Sequence, residues 1–312
     1  MKGKIDSIEE QFKKEAECFD KIVKERKANN QIPDLRAEFE NEYFYNNIWR
    51  NSIFLRTEVS PLCRWVIGSL KKAKAHSVIE LGCGNGWFSL ELARNGFDVT
   101  GLDISKESIN VAQGYLDNLR GEQKLSLQYI YKNILDYLNY GEYSGESVVC
   151  VGFLHHLPKL ILKNVIKRLS QRMGKKHLLL AIEPSYDCTS YAIAILVYAL
   201  RLALPNHFKY KNLNTDAPRH IKNIFNELSE RDRTQSVMDN SSPSKLIVKT
   251  IRDNFGEVEV NYSTAFFDKV IGSIRVLSED IKTLSNLLKE LDDIIVKYNH
   301  SLSRIVMIKA KN

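Results

Sequence analysis

One stretch limits the fold more than any other. The apolar run Val78-Ile79-Glu80-Leu81 ends in glycines at alternate positions, Gly82, Gly84 and Gly86. A helical pattern from Phe88 to Asn95 follows and stops at Gly96, and a second apolar run, Val99 to Leu102, ends in Asp103. This reads as strand, glycine turn, helix and strand, with a carboxylate at the tip of the second strand. Glycines permit backbone conformations closed to other residues and a close approach to a ligand. A carboxylate so placed accepts hydrogen bonds from ribose hydroxyls. The unit is therefore a candidate nucleoside site. A dinucleotide fingerprint needs a small residue where Trp87 stands, so that the helix can close on the strand beneath a pyrophosphate. Trp87 opposes that reading.

Further along, five apolar runs alternate with helical patterns. Strands are expected at Ser77–Leu81, Asp98–Asp103, Leu125–Tyr131, Ser147–Val151 and His177–Ile182, with helices near 87–95, 106–119 and 159–172. Such alternation implies an α/β fold, a parallel sheet with helices on both faces, whose ligands sit at the carboxyl ends of the strands. Ahead of it, residues 6–30 place Ile8, Phe12, Ala16, Phe19, Ile22 and Val23 at helical spacing, and Pro61 starts a helix running to about Ala73. After Pro184, Tyr191 to Pro205 forms a markedly apolar helix; it is too short to span a bilayer and carries Arg201. A polar stretch to Ser242 contains Lys209, Lys211, Arg219 and Lys222. Ser242-Pro243 then reads as an N-cap followed by proline at the first helical position, launching 244–254. Strand 258–263, a long helix near 277–299 and strand 304–310 close the chain. The expected organisation is a helical cap over 1–70, a core over 71–184, a helical substrate-recognition insert over 185–245, and the remaining core over 246–312.

Composition excludes more than it selects. Hydrophobic residues at 44% and charged residues at 27% suit a globular chain. The cysteines, Cys18, Cys63, Cys83, Cys150 and Cys188, are scattered without zinc spacing, which fits free thiols in a reducing compartment. No apolar signal core follows the first residues, so a cytoplasmic location is expected. The net charge of +7 invites a nucleic-acid partner, yet the basic residues are spread along the chain and form no dense block. Nucleic acid is therefore disfavoured.

The spacing Glu80-x-Gly82-x-Gly84-x-Gly86 resembles the first motif of class I S-adenosylmethionine-dependent methyltransferases, and Leu102-Asp103-Ile104-Ser105 resembles their second. The resemblance covers roughly residues 75–184. It implies a Rossmann-like seven-stranded sheet whose last strand is antiparallel. It also implies S-adenosylmethionine as cofactor, leaving as S-adenosylhomocysteine, held around Glu80, Gly82, Cys83, Gly84, Gly86, Asp103 and Ile104. Asn133, with Ile134 beside it, stands where the family often has a partner for the adenine amino group; a turn asparagine is the bland alternative. Gly152-Phe153-Leu154-His155-His156-Leu157-Pro158 resembles the segment after the fourth strand in small-molecule methyltransferases of the ubiquinone-biosynthesis type. There Gly152 and Phe153 would line the cofactor, and His155 and His156 would face the acceptor as candidate bases, or else cap the next helix.

This segment lacks the [DN]-P-P-[FYW] pattern of enzymes acting on exocyclic amines and the Pro-Cys of cytosine enzymes, so Cys150 reads as core. Glu183 ends the fifth strand and would touch substrate or cap a loop. Tyr43 and Trp49 are candidates to close over the sulfonium, against a bland role in sealing the sheet. The apolar helix at 191–205 suits an amphipathic or anionic acceptor, a membrane interface or a homodimer contact. The combined reading is a metal-independent enzyme methylating an oxygen, less readily a nitrogen, of a small molecule in natural-product, lipid or glycan tailoring. An RNA methyltransferase and a non-catalytic cofactor-binding protein are the rivals.

Overall fold

The computed structural model describes residues 7–29, 32, 54–119, 125–139, 143–185, 190–203, 216–229, 236–271 and 279–312. Tyr43, Trp49, Cys188, Lys209 and Lys211 lie outside these residues.

Helix α1, Ile8–Ala28, opens with the Ser7 side chain accepting from the Glu10 N–H, and it carries acids in its first turn and bases in its last. A π-turn, Leu55–Val59, leads into α2, Ser60–Lys72. The core then alternates: β1 Ser77–Leu81, α3 Trp87–Arg94, β2 Asp98–Asp103, α4 Lys106–Leu119, β3 Leu127–Tyr131, α5 Ile134–Asn139, β4 Ser147–Val151, α6 Lys159–Arg172 and β5 Leu179–Pro184. Helices α7 Tyr191–Ala203, α8 Ala217–Ser229 and α9 Ser244–Arg252 follow. The chain closes with β6 Glu257–Ser263, α10 Phe267–Ile271, α11 Glu279–Tyr298 and β7 Ile305–Lys311. One sheet holds all seven strands in the order β3-β2-β1-β4-β5-β7-β6. The first five are parallel, and β7 runs antiparallel to both β5 and β6. This is the expected Rossmann-like methyltransferase sheet.

Alternation along each strand divides the core in two. Ile79, Leu81, Cys150, Leu179, Ala181, Val306 and Ile308 face one layer, while Val78, Val149, Leu180, Ile182 and Met307 face the other. Helix α1 joins the first layer through Phe12, and α7 joins the second through Ile193, Ala194 and Val197. The sequence reading differs at two points. Helix α8 lies inside the stretch read as merely polar. Pro243 occupies the cap position of α9 itself, and the Ser242 hydroxyl donates instead to the Leu157 carbonyl at 2.6 Å. No helix among the described residues is long and apolar enough to cross a membrane.

The turn from β1 to α3 positions everything near it. Gly82, Gly84 and Gly86 all take positive φ, at 72°, 52° and 78°. At Gly86 a Cβ would run into Tyr129 Oη and sit 2.7 Å from Ala112 Cβ. Tyr129 uses that closeness, its hydroxyl donating to the Gly86 carbonyl at 2.9 Å. Beneath the turn, fully buried Glu80 accepts from the Ser89 hydroxyl and so fastens β1 to α3.

Two outcomes are expected. Gly86→Val, forced into a positive φ against Tyr129 and Ala112, should cost at least about 2 kcal/mol in chemical denaturation. Burial pushes the Glu80 carboxyl up to about 8, Ser89 opposing and Asp103 adding to the rise. An unfolded carboxyl ionises near 4.5, so in that window the folded protein holds a proton the unfolded chain has released. Stability attributable to Glu80 is then present at low pH and falls as pH rises towards about 8. Glu80→Gln keeps an acceptor for Ser89 and abolishes the titration. Its melting temperature relative to wild type should climb between about pH 5 and about pH 8; a difference independent of pH would refute this.

Candidate functional site

The carboxyl ends of the first four strands open on one cavity of about 220 Å³. Its floor is Gly82 and Gly84 from the turn, Asp103 and Ile104 beyond β2, Ile134 beyond β3, and Gly152 and Phe153 beyond β4. Its roof is unlike its floor in origin: Phe12, Glu15 and Phe19 descend from α1, and Met238 from the segment preceding α9. His156 and Leu157 form the side wall. The surface is mainly apolar, with a few polar groups converging on it, as ligand sites generally are.

Asp103 faces the cavity. Its Oδ2 accepts from the Gly84 N–H at 2.8 Å and its Oδ1 from the Ser105 N–H at 2.7 Å. An ionised carboxylate offers about four acceptor positions, so further capacity remains for ligand hydroxyls. Burial raises its pKa, while the N–H groups of Ser105, Gly84 and Ile104 pull the other way. At Gly84 no heavy atom lies within 4 Å of where a Cβ would stand, and the buried Asn85 Oδ1 finds no donor among the described residues. A bare backbone beside a carboxylate suits a nucleoside with a polar amino-acid tail.

Of the other expected cofactor contacts, Glu80, Cys83 and Gly86 lie behind the turn and do not line the cavity. Glu80 is bound to Ser89, buried Cys83 packs its sulfur near Gly101, and Gly86 is filled against by Tyr129. They shape the floor without forming it. Asn133 turns its Oδ1 to the Leu135 N–H at 2.8 Å, capping α5, and leaves the cavity wall to Ile134. Phe153 fits over Gly82, where an added Cβ would meet its ring at 2.5 Å. Cys150 is fully buried in the core, as expected.

Glu183 proves to be the organiser of the segment after β4, with no face on the cavity. One carboxylate oxygen accepts from the N–H groups of Phe153 at 3.1 Å and Leu154 at 2.8 Å. The other takes the His155 N–H at 3.3 Å and faces His155 Nδ1 at 2.8 Å. Of the two roles expected of it, substrate contact or loop capping, these bonds perform the second. The single turn Leu154–His156 is held in this way, and the two histidines it carries, their rings 4.1 Å apart, have different partners. His155 is engaged at both ring nitrogens, with Asp239 Oδ1 lying 3.5 Å from Nε2, and it does not line the cavity. His156 does line it; its Nδ1 lies 2.9 Å from Glu15 Oε1 and 3.2 Å from Ser236 Oγ. Among the described residues nothing bonds its Nε2. Phe19 meets the ring edge-on at 5.4 Å.

His155, His156 and Asp239 also place one possible metal-ligand atom each within 4.8 Å of one another. The carboxylates just described already meet the bonding of His155. Sequence reasoning missed Glu15, Ser236, Met238 and Asp239. Phe12 and Phe19 carried a signal, being on the apolar stripe of α1. Glu15 carried none, since a helical glutamate among lysines reads as solvated. The apolar helix α7 turns its stripe onto α8, where Tyr191 stacks on Phe225 at 4.1 Å, and its residues stay away from this cavity. Among the described residues of the 185–245 insert, Met238 lines the cavity, and Ser236 bonds to Glu15 and His156 in its wall.

Comparison with known proteins agrees with this geometry. Residues 78–175 match the family described as "Methyltransferase domain". The ubiquinone biosynthesis O-methyltransferase of Psychrobacter cryohalolentis is 28% identical over 157 residues, covering 50% of this chain and 60% of that protein. Its counterpart from Coxiella burnetii is 28% identical over 131 residues, 41% of this chain and 53% of the relative. The chain thus spans only about half to three fifths of the length of these curated relatives. Among solved structures, magnesium protoporphyrin IX methyltransferase from Synechocystis aligns with a TM-score of 0.48 at 14% identity, over 95% of this chain and 98% of that one. The glycine turn, the carboxylate beyond β2, the strand order and the match converge: residues 78–175 of this chain carry a methyltransferase domain, similar to those of class I S-adenosylmethionine-dependent enzymes.

Proposed function

We propose that this domain transfers the methyl group of S-adenosylmethionine to an oxygen atom of a small acceptor with an apolar body, and that His156 is the base. The observation that carries the reading is the difference between the neighbouring imidazoles: His155 is bonded to Glu183 at Nδ1, has Asp239 3.5 Å from Nε2 and does not line the cavity, whereas His156 stands in the cavity wall with Nε2 unbonded among the described residues. The curated relatives named as O-methyltransferases support oxygen as the atom methylated.

In this reading Asp103 grips the ribose hydroxyls while its bonds from Gly84 and Ser105 hold it in register. Gly82 and Gly84 let the backbone lie against the amino-acid portion, and Ile104 and Ile134 flank the base. Bound there, the cofactor supplies a methyl group on a positively charged sulfur, whose bond to carbon breaks as the acceptor oxygen bonds to that carbon, the electron pair staying with sulfur. The protein's share is alignment and proton removal. Phe12, Phe19, Leu157 and Met238 exclude water and orient an apolar acceptor. Alignment of this kind contributes up to roughly 7–11 kcal/mol in well-oriented systems. Glu15, an acceptor only when ionised, keeps the ring proton on Nδ1, so the lone pair of a neutral His156 resides on Nε2. That nitrogen takes the acceptor's hydroxyl proton. A positioned base is worth about 10²–10⁴-fold.

Two substitutions separate binding from chemistry. Asp103→Ala should weaken S-adenosylhomocysteine binding by about 1.5–3 kcal/mol in calorimetry, as expected for a lost bond to a charged group; unchanged affinity would discredit the ribose assignment. His156→Ala should lower methyl transfer from labelled cofactor to a panel of hydroxylated aromatic acceptors by about 10²–10⁴-fold, while cofactor product affinity stays within about threefold. Full activity in that variant would remove the base.

A further inference from the structure

We infer that Glu15 is the positioning residue for the base, so that the catalytic site is completed only while α1 lies docked across the cavity. The inference rests on the reading of His156 as base and extends it to an element outside the matched domain. Helix α1 carries its other acids, Glu9, Glu10, Glu17, Asp20 and Glu25, in exposed or half-buried positions, yet Glu15 is 2% exposed. Burying a carboxylate is costly unless every acceptor is met. Here both oxygens are met: Oε1 faces His156 Nδ1 at 2.9 Å and takes the Ser236 hydroxyl at 2.6 Å, and Oε2 takes the Met238 N–H at 2.9 Å. Three segments distant in sequence therefore meet at one carboxylate: α1, the turn after β4, and the segment ahead of α9.

The other end of α1 is anchored to the cofactor side of the cavity. Asp20 Oδ1 accepts from the Ser105 hydroxyl at 2.7 Å and the Glu107 N–H at 3.0 Å. Ser105 is the residue whose own N–H holds Asp103. One helix thus touches the carboxylate assigned to the ribose through Ser105 and the imidazole assigned to the acceptor through Glu15. Docking of α1 closes the cavity with Phe12 and Phe19 and, in the same movement, sets the tautomer and orientation of His156. Burial raises the Glu15 pKa, but the bonds from His156, Ser236 and Met238 outweigh it and hold the carboxyl below its ordinary value. It is ionised where the base must act.

The titration of His156 reads this directly. The charged and polar groups around the ring are Glu15 and Ser236, with His155, Glu183 and Asp239 at its side and Asp103 across the cavity. Nitrogen NMR of the full chain labelled at histidine, with the His156 signal assigned by its loss in His156→Ala, gives tautomer and pKa together. In wild type the neutral ring should carry its proton on Nδ1. Glu15→Gln removes one adjacent negative charge and should lower the His156 pKa by about one unit, a tenfold loss of proton affinity. Binding of S-adenosylhomocysteine within about threefold of wild type would show that the fold and the cofactor side are intact. An unmoved titration in a cofactor-binding Glu15→Gln protein would overturn the inference. Should that variant bind no S-adenosylhomocysteine, the wild-type tautomer decides: a proton on Nε2 overturns the inference, and one on Nδ1 upholds it. Activity keeps the two readings apart. If the titration shifts as expected while His156→Ala remains fully active, Glu15 positions His156 but His156 is not the base.

Discussion

The backbone between β1 and α3 turns through three residues with positive φ, and a carboxylate from the neighbouring strand pins the middle one. The bond from the Gly84 N–H to Asp103 Oδ2, at 2.8 Å, joins the glycine turn to the end of β2 across the cavity floor. Side chains at these positions would not merely strain the turn. At Gly82 they would displace Phe153, and at Gly86 they would displace Tyr129. The turn therefore fixes where β3 and the loop after β4 can lie. Glu80 and Ser89 secure it from below, where water does not reach.

From that fixed floor the remaining site is built by capping. Glu183 gathers three consecutive N–H groups, of Phe153, Leu154 and His155, and Asn133 does the same service for α5 on a smaller scale. Their carboxylate and amide oxygens set the angle at which two strand ends meet the cavity. The two adjacent histidines lie ring against ring, 4.1 Å apart, yet bond to different groups. Their environments differ accordingly: His155 is braced between Glu183 and Asp239, and His156 faces the cavity with only one nitrogen engaged among the described residues. Sequence adjacency did not imply shared chemistry.

Much of this was legible in the residues. The strands and central helices were placed within a few positions, because period-two burial and helical stripes are strong local signals; β5 moved most, from 177–182 to Leu179–Pro184, with β3 starting two residues late and β7 shifted by one. Asp103, Ile104, Ile134, Gly152, Phe153 and His156 were named from motif spacing and do line the cavity. Glu80, Cys83 and Gly86 belong to the same motif but serve the turn from behind. A linear pattern cannot tell a residue that touches a ligand from one that shapes the backbone which does. Glu183 went to loop capping, which depends on partners some 30 positions away, whereas Asn133 caps the N–H of Leu135 two residues on, the turn role its position also allowed. Glu15 was invisible for a related reason, since its partners are His156, Ser236 and the Met238 N–H, up to 223 positions away. The apolar helix α7 misled as a substrate element because apolarity alone does not say which neighbour is covered. Here the neighbour is α8.

The central claim is that a nucleoside sulfonium lies along Gly82–Gly84 with its sugar held by Asp103. A crystal structure of the full chain with S-adenosylhomocysteine tests it most directly. The account predicts both ribose hydroxyls within about 3.2 Å of the Asp103 carboxylate, the amino-acid tail along the glycine turn, and the sulfur facing His156. Density for the ligand elsewhere, or an Asp103 side chain turned away from the sugar, would contradict it.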